Sequence, residues 1–357
     1  MTKRTLHFLC FLGVFMPGLC EKSFAAFNGE RLFSGAPFSL ILPSKISENC
    51  APEKILFSGI SRQMSGQGLL TPPPAKAATI SVMTFNIRYP NPGDGTNFWP
   101  NRKALVASMV RFHSADLIGV QEAFRSQLDE LGQMLPEFAW TGVCRTDGSM
   151  QPRPDNEFSA IFYRKDRFKL LDGQTFWLSE TPDQAGSKGW DAALPRIVTW
   201  AKFKDLYSGD IFYHFNTHFD HQGNTARRAG ASLLLQKIQE IAGVLPAIVT
   251  GDFNARPEDP PIQILTDPRA PLHLLDAFHV SETPHHGPDG TWTDAFQTPG
   301  VPGQRIDYIF VKKGIRVLRH GILSDTWSGR LPSDHLPVLA QVVIHDPKNR
   351  LVTATKK

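Results

Sequence analysis

Apolar runs with strand-like and helix-like spacing alternate along the chain between residues 79 and 346. Short runs rich in β-branched and aromatic residues predict strands, and longer runs with apolar residues every three or four positions predict helices. The predicted strands are 80–87, 116–121, 161–163, 197–203, 211–219, 247–250, 306–311, 315–323 and 338–344. The predicted helices are 101–113, 124–135 and 225–242. Many strands with helices between them predict a mixed α/β fold in one domain.

The segments outside this block differ from it in composition. All seven Trp and all five Tyr lie between Tyr89 and Trp327, so the aromatic material for a core belongs to residues 79–346. About a third of residues 26–78 are Gly, Pro or Ser. A segment of this composition is typical of a disordered or weakly ordered linker. Residues 347–357 are predicted to form a C-terminal tail.

The N-terminus has the layout of a secretory signal peptide. Lys3 and Arg4 precede an apolar run over residues 6–16, and Ala25 ends a small-residue cleavage site. This apolar run is shorter than the ~20 residues that span a bilayer. Residues 1–25 are therefore predicted to be a signal peptide. The mature protein is expected to be exported, periplasmic or secreted, without a transmembrane anchor.

Composition and charge exclude several classes of protein. Four Cys in 357 residues are too few for a disulfide scaffold, and their spacing offers no paired zinc knuckle. The chain contains neither a Gly-x-x-x-x-Gly-Lys-Ser/Thr phosphate loop nor a Gly-x-Ser-x-Gly nucleophile elbow. A net charge of +4 permits binding to polyanions without demonstrating it. Any metal site would need oxygen or histidine ligands.

Six apolar runs end in acidic, amide or imidazole side chains. In open α/β sheets, functional groups gather beyond the strand ends. Each polar end has a common structural explanation when it is taken alone, because an Asp after a strand often caps a helix. Six in one domain favour a shared site. They are Thr84-Phe-Asn86, Val120-Gln-Glu122, Asn216-Thr-His218, Gly251-Asp-Phe-Asn254, Arg305-Ile-Asp307 and Ser333-Asp-His335.

The spacing within these ends indicates chemistry at a phosphate or a metal. Residues two apart in an extended segment face the same way, so Asp252 and Asn254 are expected to converge and aim a nucleophile. The oxygen ligands of Glu122, Asn86 and Asp334 suit Mg²⁺ or Mn²⁺. The sequence therefore predicts a site for one of these two cations.

As an ordered set, these stretches resemble the endonuclease/exonuclease/phosphatase superfamily, and the resemblance covers residues 81–343. It implies a deoxyribonuclease I-like, four-layer α/β sandwich of two mixed β-sheets flanked by helices. It also implies metal-assisted hydrolysis of phosphoester bonds. The text around Asn86-Ile-Arg-Tyr89 and Lys188-Gly-Trp-Asp191 is similar to a bacterial branch of that superfamily.

The resemblance implies a metal site and a water-activating pair. By motif match, Glu122 would be the main metal ligand, with Asn86 and Asp334 beside it. Asp252 and Asn254 would orient or deprotonate the attacking water. The number of metal ions and the identity of the general base remain open at this stage.

The resemblance also implies residues that contact the scissile phosphate. His335, oriented by Asp307, would hold the phosphate. His218 would contact the phosphate or help to protonate the leaving oxygen. Glu157, seven residues before Arg164, matches a glutamate that orients the histidine corresponding to His218 in deoxyribonuclease I. The alternative for Glu157 is a solvated loop residue.

The loop over residues 176–196 offers two substrate-binding candidates. Arg196 is expected to grip a phosphate and Trp190 to stack on a base, while Trp177 is equally consistent with a buried core position. The resulting prediction is an exported, divalent-metal-dependent phosphodiesterase, first of all a nuclease, and a monomer without a stable protein partner. The alternatives are a sphingomyelinase-like or inositol-phosphatase-like phosphoesterase and, from another class, a non-catalytic binding module on the same scaffold.

Overall fold

Two six-stranded sheets form the centre of the fold in a computed structural model that describes residues 79–151, 156–297 and 300–344. The strands are β1 (Ile80–Asn86), β2 (Leu117–Gln121), β3 (Ala123–Phe124), β4 (Phe138–Thr141), β5 (Glu157–Phe158), β6 (Ile161–Arg164), β7 (Phe168–Trp177), β8 (Ile197–Asp205), β9 (Ile211–His218), β10 (Ala247–Asp252), β11 (Leu274–Asp276), β12 (Asp307–Lys312), β13 (Arg316–Ile322) and β14 (Val338–Val343). The α-helices are α1 (Lys103–Phe112), α2 (Arg125–Met134), α3 (Asn224–Ala242), α4 (Pro260–Thr266) and α5 (Ala277–Val280).

The two sheets repeat one arrangement. The first has the order β13-β14-β1-β2-β6-β4 and the second the order β11-β12-β10-β9-β8-β7, while β3 and β5 form a separate pair. In each large sheet a parallel pair, β1 with β2 or β9 with β10, is flanked by antiparallel strands. Mixed sheets of this kind are what the resemblance implied.

Alternating side chains divide the core into layers. Along β1, Val82 belongs to the cluster between the two sheets, whereas Met83 belongs to the cluster under α1 and α2. On the other sheet, Val249 packs in a third cluster with Leu234 and Ile238 of α3. Since neighbouring strand residues face opposite sides, this pattern produces a helix–sheet–sheet–helix order. The predicted four-layer sandwich is confirmed.

Some predictions fall outside the described residues, and some elements were not predicted. The signal peptide 1–25, the linker 26–78 and the tail 347–357 lie outside the described ranges and stay predictions. Strands β3, β4, β5, β7 and β11 and helices α4 and α5 are additions. Trp177 was assigned to a loop, but it is the last residue of β7 and is buried. Its Nε1 donates to the carbonyl of Arg145 at 2.7 Å. Within the described ranges, no helix combines the length and apolarity needed to cross a membrane.

A polar network joins the two sheets close to their functional edge. Gln121 Nε2 donates to Asn216 Oδ1 at 2.7 Å, and Thr250 Oγ1 donates to the same oxygen at 3.0 Å. The sheets approach closely here, since a Cβ on Gly119 would lie 2.1 Å from Thr250 Oγ1. Asn216 is a buried amide whose oxygen and nitrogen both have hydrogen-bond partners, so it fixes one relative position of the sheets. The network therefore sets the register of the strand ends that follow it.

His214 in this network leads to a stability prediction. It is fully buried, Nε2 bonds to Thr250 Oγ1 at 2.8 Å, and burial lowers its pKa from 6.5 to about 3. Between these two pH values the unfolded chain binds a proton that the folded chain does not, so the free energy of unfolding falls as pH falls. His214→Gln should reduce this slope by up to about 1.4 kcal/mol per pH unit.

Urea denaturation at pH 7.5, 6.0 and 5.0 measures the slope. The control is His286→Gln, because His286 is exposed and forms no ion pair within the described ranges, so this substitution should change the slope far less than His214→Gln does. Equal slopes in wild type and His214→Gln would contradict the assignment of a neutral, buried imidazole.

Candidate active site

The six polar strand ends meet at one edge of the sandwich. The parallel strands β1, β2, β9 and β10 end there, and the antiparallel strands β12 and β14 begin there. A cavity of about 640 Å³ opens at this edge. The predicted residues that line it are Glu122, Glu157, Arg196, His218, Asp252, Asn254, Asp334 and His335. Asn86 and Asp307 lie buried behind it, hydrogen-bonded to lining side chains.

Asn86 connects the two sheets at the base of the cavity. Its Nδ2 donates to Glu122 Oε1 at 3.1 Å and to Asp252 Oδ2 at 3.0 Å. Its Oδ1 accepts from the backbone N–H of Arg88 at 3.0 Å. The second oxygen of Glu122 accepts from the backbone N–H of Tyr89 at 3.2 Å. Two carboxylates from different sheets are thus held on one amide.

Three residues of the site have a left-handed backbone. The φ angle is 57° at Arg88, 58° at Glu122 and 45° at Asn254, and each residue follows the end of a strand. Such angles are uncommon for residues other than glycine and concentrate where function requires a particular side-chain direction. Here they turn the chain as it leaves the sheet, so that all three side chains line the cavity.

Asp252 and Asn254 converge, but not for the reason given by the sequence. The segment is not extended through Asn254, where the chain turns. The backbone N–H of Asn254 donates to Asp252 Oδ1 at 2.9 Å. Asn254 Nδ2 lies 3.0 Å from His218 Nε2, which is itself 3.4 Å from Asp252 Oδ2. A carboxylate, an amide and an imidazole therefore surround one small volume.

The predicted Asp307–His335 pair is present. Asp307 Oδ2 lies 2.8 Å from His335 Nδ1, and both side chains are buried. Asp307 Oδ1 is buried without a hydrogen-bond partner among the described residues. The other ring nitrogen of His335, Nε2, lies 3.8 Å from Asp252 Oδ2. The ring orientation is therefore fixed from behind, with Nε2 on the cavity side.

Charges around His335 favour its protonated form. Burial opposes a charge on the ring, but the carboxylates of Asp307 and Asp252 outweigh it and raise the pKa of His335 well above the usual range. Burial, together with the charge of Asp307, raises the pKa of Asp252 to about 7. A carboxylate with a pKa near neutrality is suited to general-base catalysis.

His218 is held in the opposite state. Burial, followed by the positive charges of Arg196 and Arg145, lowers the pKa of His218 well below its usual range. Pairs of titratable groups whose pKa values are driven apart by their surroundings are typical of acid–base sites. The cavity thus combines a cationic imidazole at His335 with a neutral one at His218.

Arg88 lies between two of the predicted metal ligands. Its Nη1 is 3.6 Å from Asp334 Oδ2 and 4.0 Å from Glu122 Oε2. Its other nitrogens, Nε and Nη2, each donate to Asp94 at 3.1 Å. No role was predicted for Arg88 from the sequence, although it belongs to the Asn86-Ile-Arg-Tyr89 stretch. A metal cation bound at this position would therefore share the carboxylates of Asp334 and Glu122 with the Arg88 guanidinium.

Glu157 contacts an arginine rather than the ring of His218. Its two carboxylate oxygens accept from Arg145 Nη1 and Nη2 at 2.6 and 2.7 Å. Within the described ranges no hydrogen bond joins Glu157 to His218, although both border a small void beside the main cavity. The orienting role implied for Glu157 stays a prediction, and the structure instead pairs this residue with Arg145.

Arg196 reaches the cavity as predicted. Its Nε lies 3.3 Å from Asp220 Oδ2 and its Nη2 lies 2.9 Å from His221 Nδ1, while Nη1 is buried with no partner among the described residues. Trp190 is not one of the lining residues. Trp292 lines the cavity instead, and its ring packs edge-on against His335 with centroids 5.2 Å apart. No local pattern marked Trp292, because a loop brings it to the site.

The oxygen-rich set suits a divalent cation. One ligand atom each from Glu122, His218 and Asp252 can be chosen so that all lie within 4.8 Å of one another. Hard carboxylate oxygens favour Mg²⁺ or Mn²⁺, and Asp307 Oδ1 is a buried acceptor without a hydrogen-bond partner among the described residues. The residues present therefore fit a hard cation, with Glu122 as the ligand common to the sequence and the geometry.

A sandwich of two mixed sheets between helices, with carboxylates, imidazoles and arginines at one edge, defines a metal-assisted phosphoesterase. A family model confirms this class. It matches residues 83–335, and the chain belongs to the Endonuclease/Exonuclease/phosphatase family. The protein is thus a metal-dependent phosphoric ester hydrolase.

Relatives with solved structures cover nearly the whole described region. An endonuclease/exonuclease/phosphatase from Bacteroides vulgatus is 40% identical, with a TM-score of 0.70 over 75% of this chain and 100% of that one. The mannosyl-6-phosphatase of Bacteroides thetaiotaomicron VPI-5482 is 37% identical, with a TM-score of 0.69 over 74% of this chain and 100% of that one. Human nocturnin is 27% identical over 348 residues, which is 89% of this chain and 76% of nocturnin.

Proposed function

We propose that the protein is a Mg²⁺- or Mn²⁺-dependent phosphomonoesterase whose substrates are phosphorylated sugars. The observation that carries the proposal is a compact cavity of about 640 Å³ lined by four arginines, Arg88, Arg145, Arg196 and Arg256. Arg88 and Arg145 are already paired with Asp94 and Glu157, whereas Arg196 Nη1 has no partner among the described residues. This volume falls in the range of about 300–1,000 Å³ for small-molecule sites. One guanidinium group can bind two phosphate oxygens at once. A terminal phosphate has more charged oxygens available for such contacts than a phosphodiester has.

Another part of the cavity wall suits a sugar ring. Trp292 and Ile306 provide apolar surface, and Gln304 provides an amide beside them. The backbone N–H of Trp292 donates to the carbonyl of Gln304 at 3.1 Å, so the two residues occupy fixed neighbouring positions. A flat aromatic ring with adjacent polar groups can pack on the C–H face of a sugar and bond its hydroxyls. The 37% identical mannosyl-6-phosphatase supports this class of substrate.

The residues can divide the reaction among them. A divalent cation would be held by Glu122 and Asp334, with Asn86 turning its Oδ1 to the ion instead of to the backbone N–H of Arg88, and would neutralise charge on the phosphoryl oxygens. Asp252 is placed to accept a proton from the attacking water. As the water oxygen bonds to phosphorus, the bond from phosphorus to the sugar oxygen breaks, and the leaving oxygen takes a proton from solvent water. Asn254 holds the carboxylate of Asp252 through its backbone N–H and offers its side-chain amide to the same volume.

The two histidines act on the phosphate in this scheme. Charged His335 stabilises the negative charge that grows on the phosphoryl oxygens in the transition state, with Asp307 holding the ring. Neutral His218 contacts the phosphate without adding its own positive charge to those of Arg145 and Arg196.

Because Asp252 must be deprotonated to accept the proton of the attacking water, its deprotonation should set the acidic limb of the pH–rate profile.

The predicted nuclease activity is the second candidate. Its support is the family itself, whose description includes endonucleases and exonucleases, and two aromatic lining residues, Tyr89 and Trp292, of the type on which bases stack. The exposed apolar hairpin expected of a lipid-cleaving enzyme has no counterpart among the described cavity residues. The nuclease and the sugar phosphatase differ in the length of substrate that the cavity must accept.

A substrate panel with Mg²⁺ or Mn²⁺ tests the proposal. We expect the highest kcat/KM on a hexose 6-phosphate, compared with DNA, RNA, sphingomyelin, inositol phosphates and bis(p-nitrophenyl) phosphate. Asp252→Asn, prepared in parallel, identifies activity from contaminating enzymes. A higher kcat/KM on polynucleotides would establish the nuclease instead. Binding of the panel without any turnover would revive the binding-module interpretation.

Trp292→Ala should separate recognition of the sugar from catalysis. If the indole packs on the sugar ring, its removal should raise KM for a hexose phosphate about tenfold, which is about 1.4 kcal/mol, with a smaller change in kcat. Glycerol phosphate, a phosphomonoester without a ring, is the matched control substrate and should keep its KM. An equal loss on both substrates would place Trp292 in support of His335 rather than in sugar recognition.

We also propose that the protein is exported. The support is the basic N-terminus, the short apolar run and the small residues before position 26, all of which lie outside the described residues. Sequencing the N-terminus of protein from its native host should find a chain beginning at Ala26. Intact Met1 in the cytoplasmic fraction would refute export.

A further inference from the structure

Arg102, at the start of α1, has a fully buried side chain that forms no ion pair with any residue in the described ranges. It is 0% exposed, and its hydrogen bonds within the described ranges all go to backbone carbonyls. Nε donates to Asn97 at 2.8 Å, Nη1 to Ile87 and to Pro332, and Nη2 to Arg88 at 2.8 Å. Four carbonyls from three chain segments therefore converge on one guanidinium.

This arrangement is unusual in energetic terms. A buried cation is expensive unless it is paired, and Arg102 keeps its charge although burial lowers its pKa to about 10. The carboxylates of Asp334, Asp94 and Glu122 act on it from a distance and partly offset the burial. The guanidinium also packs against the rings of Trp99 and Phe296, 5.1 and 5.7 Å from their centroids. Simple core filling would not require a charge here.

The segments that Arg102 connects carry the candidate metal ligands. Ile87 directly follows Asn86, and Pro332 lies two residues before Asp334. The contact from Nη1 to the carbonyl of Pro332, at 3.2 Å, bridges positions 230 residues apart. Ser333 Oγ donates to the carbonyl of Asn86 at 2.7 Å and is a second link between the same segments.

We propose that Arg102 is a positioning residue that sets the spacing between Asn86 and Asp334, and thereby the affinity of the site for its divalent cation. A guanidinium suits this task because its donors have fixed directions in one plane, whereas a lysine ammonium is a point charge without a fork. Partners that orient metal ligands typically change metal affinity 10–100-fold when they are lost. The proposal rests on the assignment of Glu122, Asn86 and Asp334 as ligands in the proposed function.

The test is direct Mn²⁺ binding, measured from the EPR signal of free Mn²⁺ without substrate. Arg102→Lys should raise the Kd for Mn²⁺ at least about tenfold. The matched control is Arg167→Lys. Arg167 is also buried and donates to the carbonyl of Thr79 at 2.8 Å, at the opposite end of β1. Both variants should lower the Tm, but the control should keep the wild-type Kd.

A second variant covers the case in which Arg102→Lys does not fold. Ser333→Ala removes the hydroxyl link to Asn86, together with the longer contacts of the same hydroxyl with Asp334 Oδ1 at 3.3 Å and with the backbone N–H of His335 at 3.4 Å, and should raise the Mn²⁺ Kd in the same direction. Unchanged Kd values in the folded Arg102 and Ser333 variants, with a raised Kd in Glu122→Gln, would overturn the positioning role and leave the metal site intact. An unchanged Kd in Glu122→Gln would instead show that the ligand assignment in the proposed function is wrong.

Discussion

His335→Ala should lower kcat by at least about 10² on every phosphoester that the wild type cleaves. This is the scale of losing one well-placed electrostatic donor in a catalytic site. His335 Nδ1 lies 2.8 Å from Asp307 Oδ2, and the surrounding charges favour the protonated ring. The ring therefore presents a fixed positive charge where the phosphoryl oxygens gain negative charge. Steady-state kinetics at saturating metal, with thermal unfolding in parallel, measures the effect. Turnover near that of wild type would make the site assignment wrong.

Asp307→Asn is the companion variant, and its effects should be coupled to those of His335→Ala. It should lower kcat less than the histidine change does, and the double variant should lose less than the product of the single losses, because the two residues act as a unit. Multiplicative losses would show that they act independently.

The same variant should move the pH–rate profile in a defined direction. The charge of Asp307 raises the pKa of both Asp252 and His335, so removing it lowers both values. The acidic limb, set by deprotonation of Asp252, and the basic limb, set by deprotonation of His335, should both shift to lower pH. An unchanged profile would indicate that these groups do not control the rate.

The central strands could be predicted because their runs of apolar residues are unambiguous. Val82 and Met83 are both apolar because both faces of β1 are covered, and the run ends abruptly at Asn86. The edge strand β7 gave no such signal, since residues such as Asp172 and Lys169 are exposed along it and weaken the alternation. Its buried end at Trp177 depends on the carbonyl of Arg145, a contact between distant positions.

The site was predictable as far as it depends on strand ends. Asn86, Glu122, Asp252 and His335 meet because parallel and antiparallel strands share one edge. The left-handed turn at Arg88 and the arrival of Trp292 depend on tertiary contacts that no local pattern reports. Local pattern also gives no sign that Arg145 takes both oxygens of Glu157. The sequence is therefore least able to predict the role of a residue, such as Glu157, for which two partners compete.

Chelation should abolish activity, and Glu122→Gln should lower kcat/KM at fixed Mg²⁺ by at least about 10². A Lewis-acidic cation supplies several kcal/mol of transition-state stabilisation, and each 1.4 kcal/mol is tenfold in rate. Glu122 is held by Asn86 Nδ2 and the backbone N–H of Tyr89, and its side chain is 15% exposed. Glutamine keeps the shape of the side chain but loses its charge and one of its two acceptor oxygens, so one of these hydrogen bonds is lost at a cost of about 1 kcal/mol, and the Tm without metal should fall only slightly.

Activity after EDTA treatment should return with Mg²⁺ or Mn²⁺, and Glu122→Gln should need more of either ion to reach half-maximal rate. Glu240→Gln is the matched control, because Glu240 is an exposed α3 residue paired with Lys237, and it should keep both the rate and the metal midpoint of wild type. Full activity in EDTA would contradict metal dependence altogether. A wild-type metal midpoint in Glu122→Gln would remove only Glu122 from the metal site, and the ligand role would then pass to Asp252 and His218, the other members of the cluster whose ligand atoms lie within 4.8 Å.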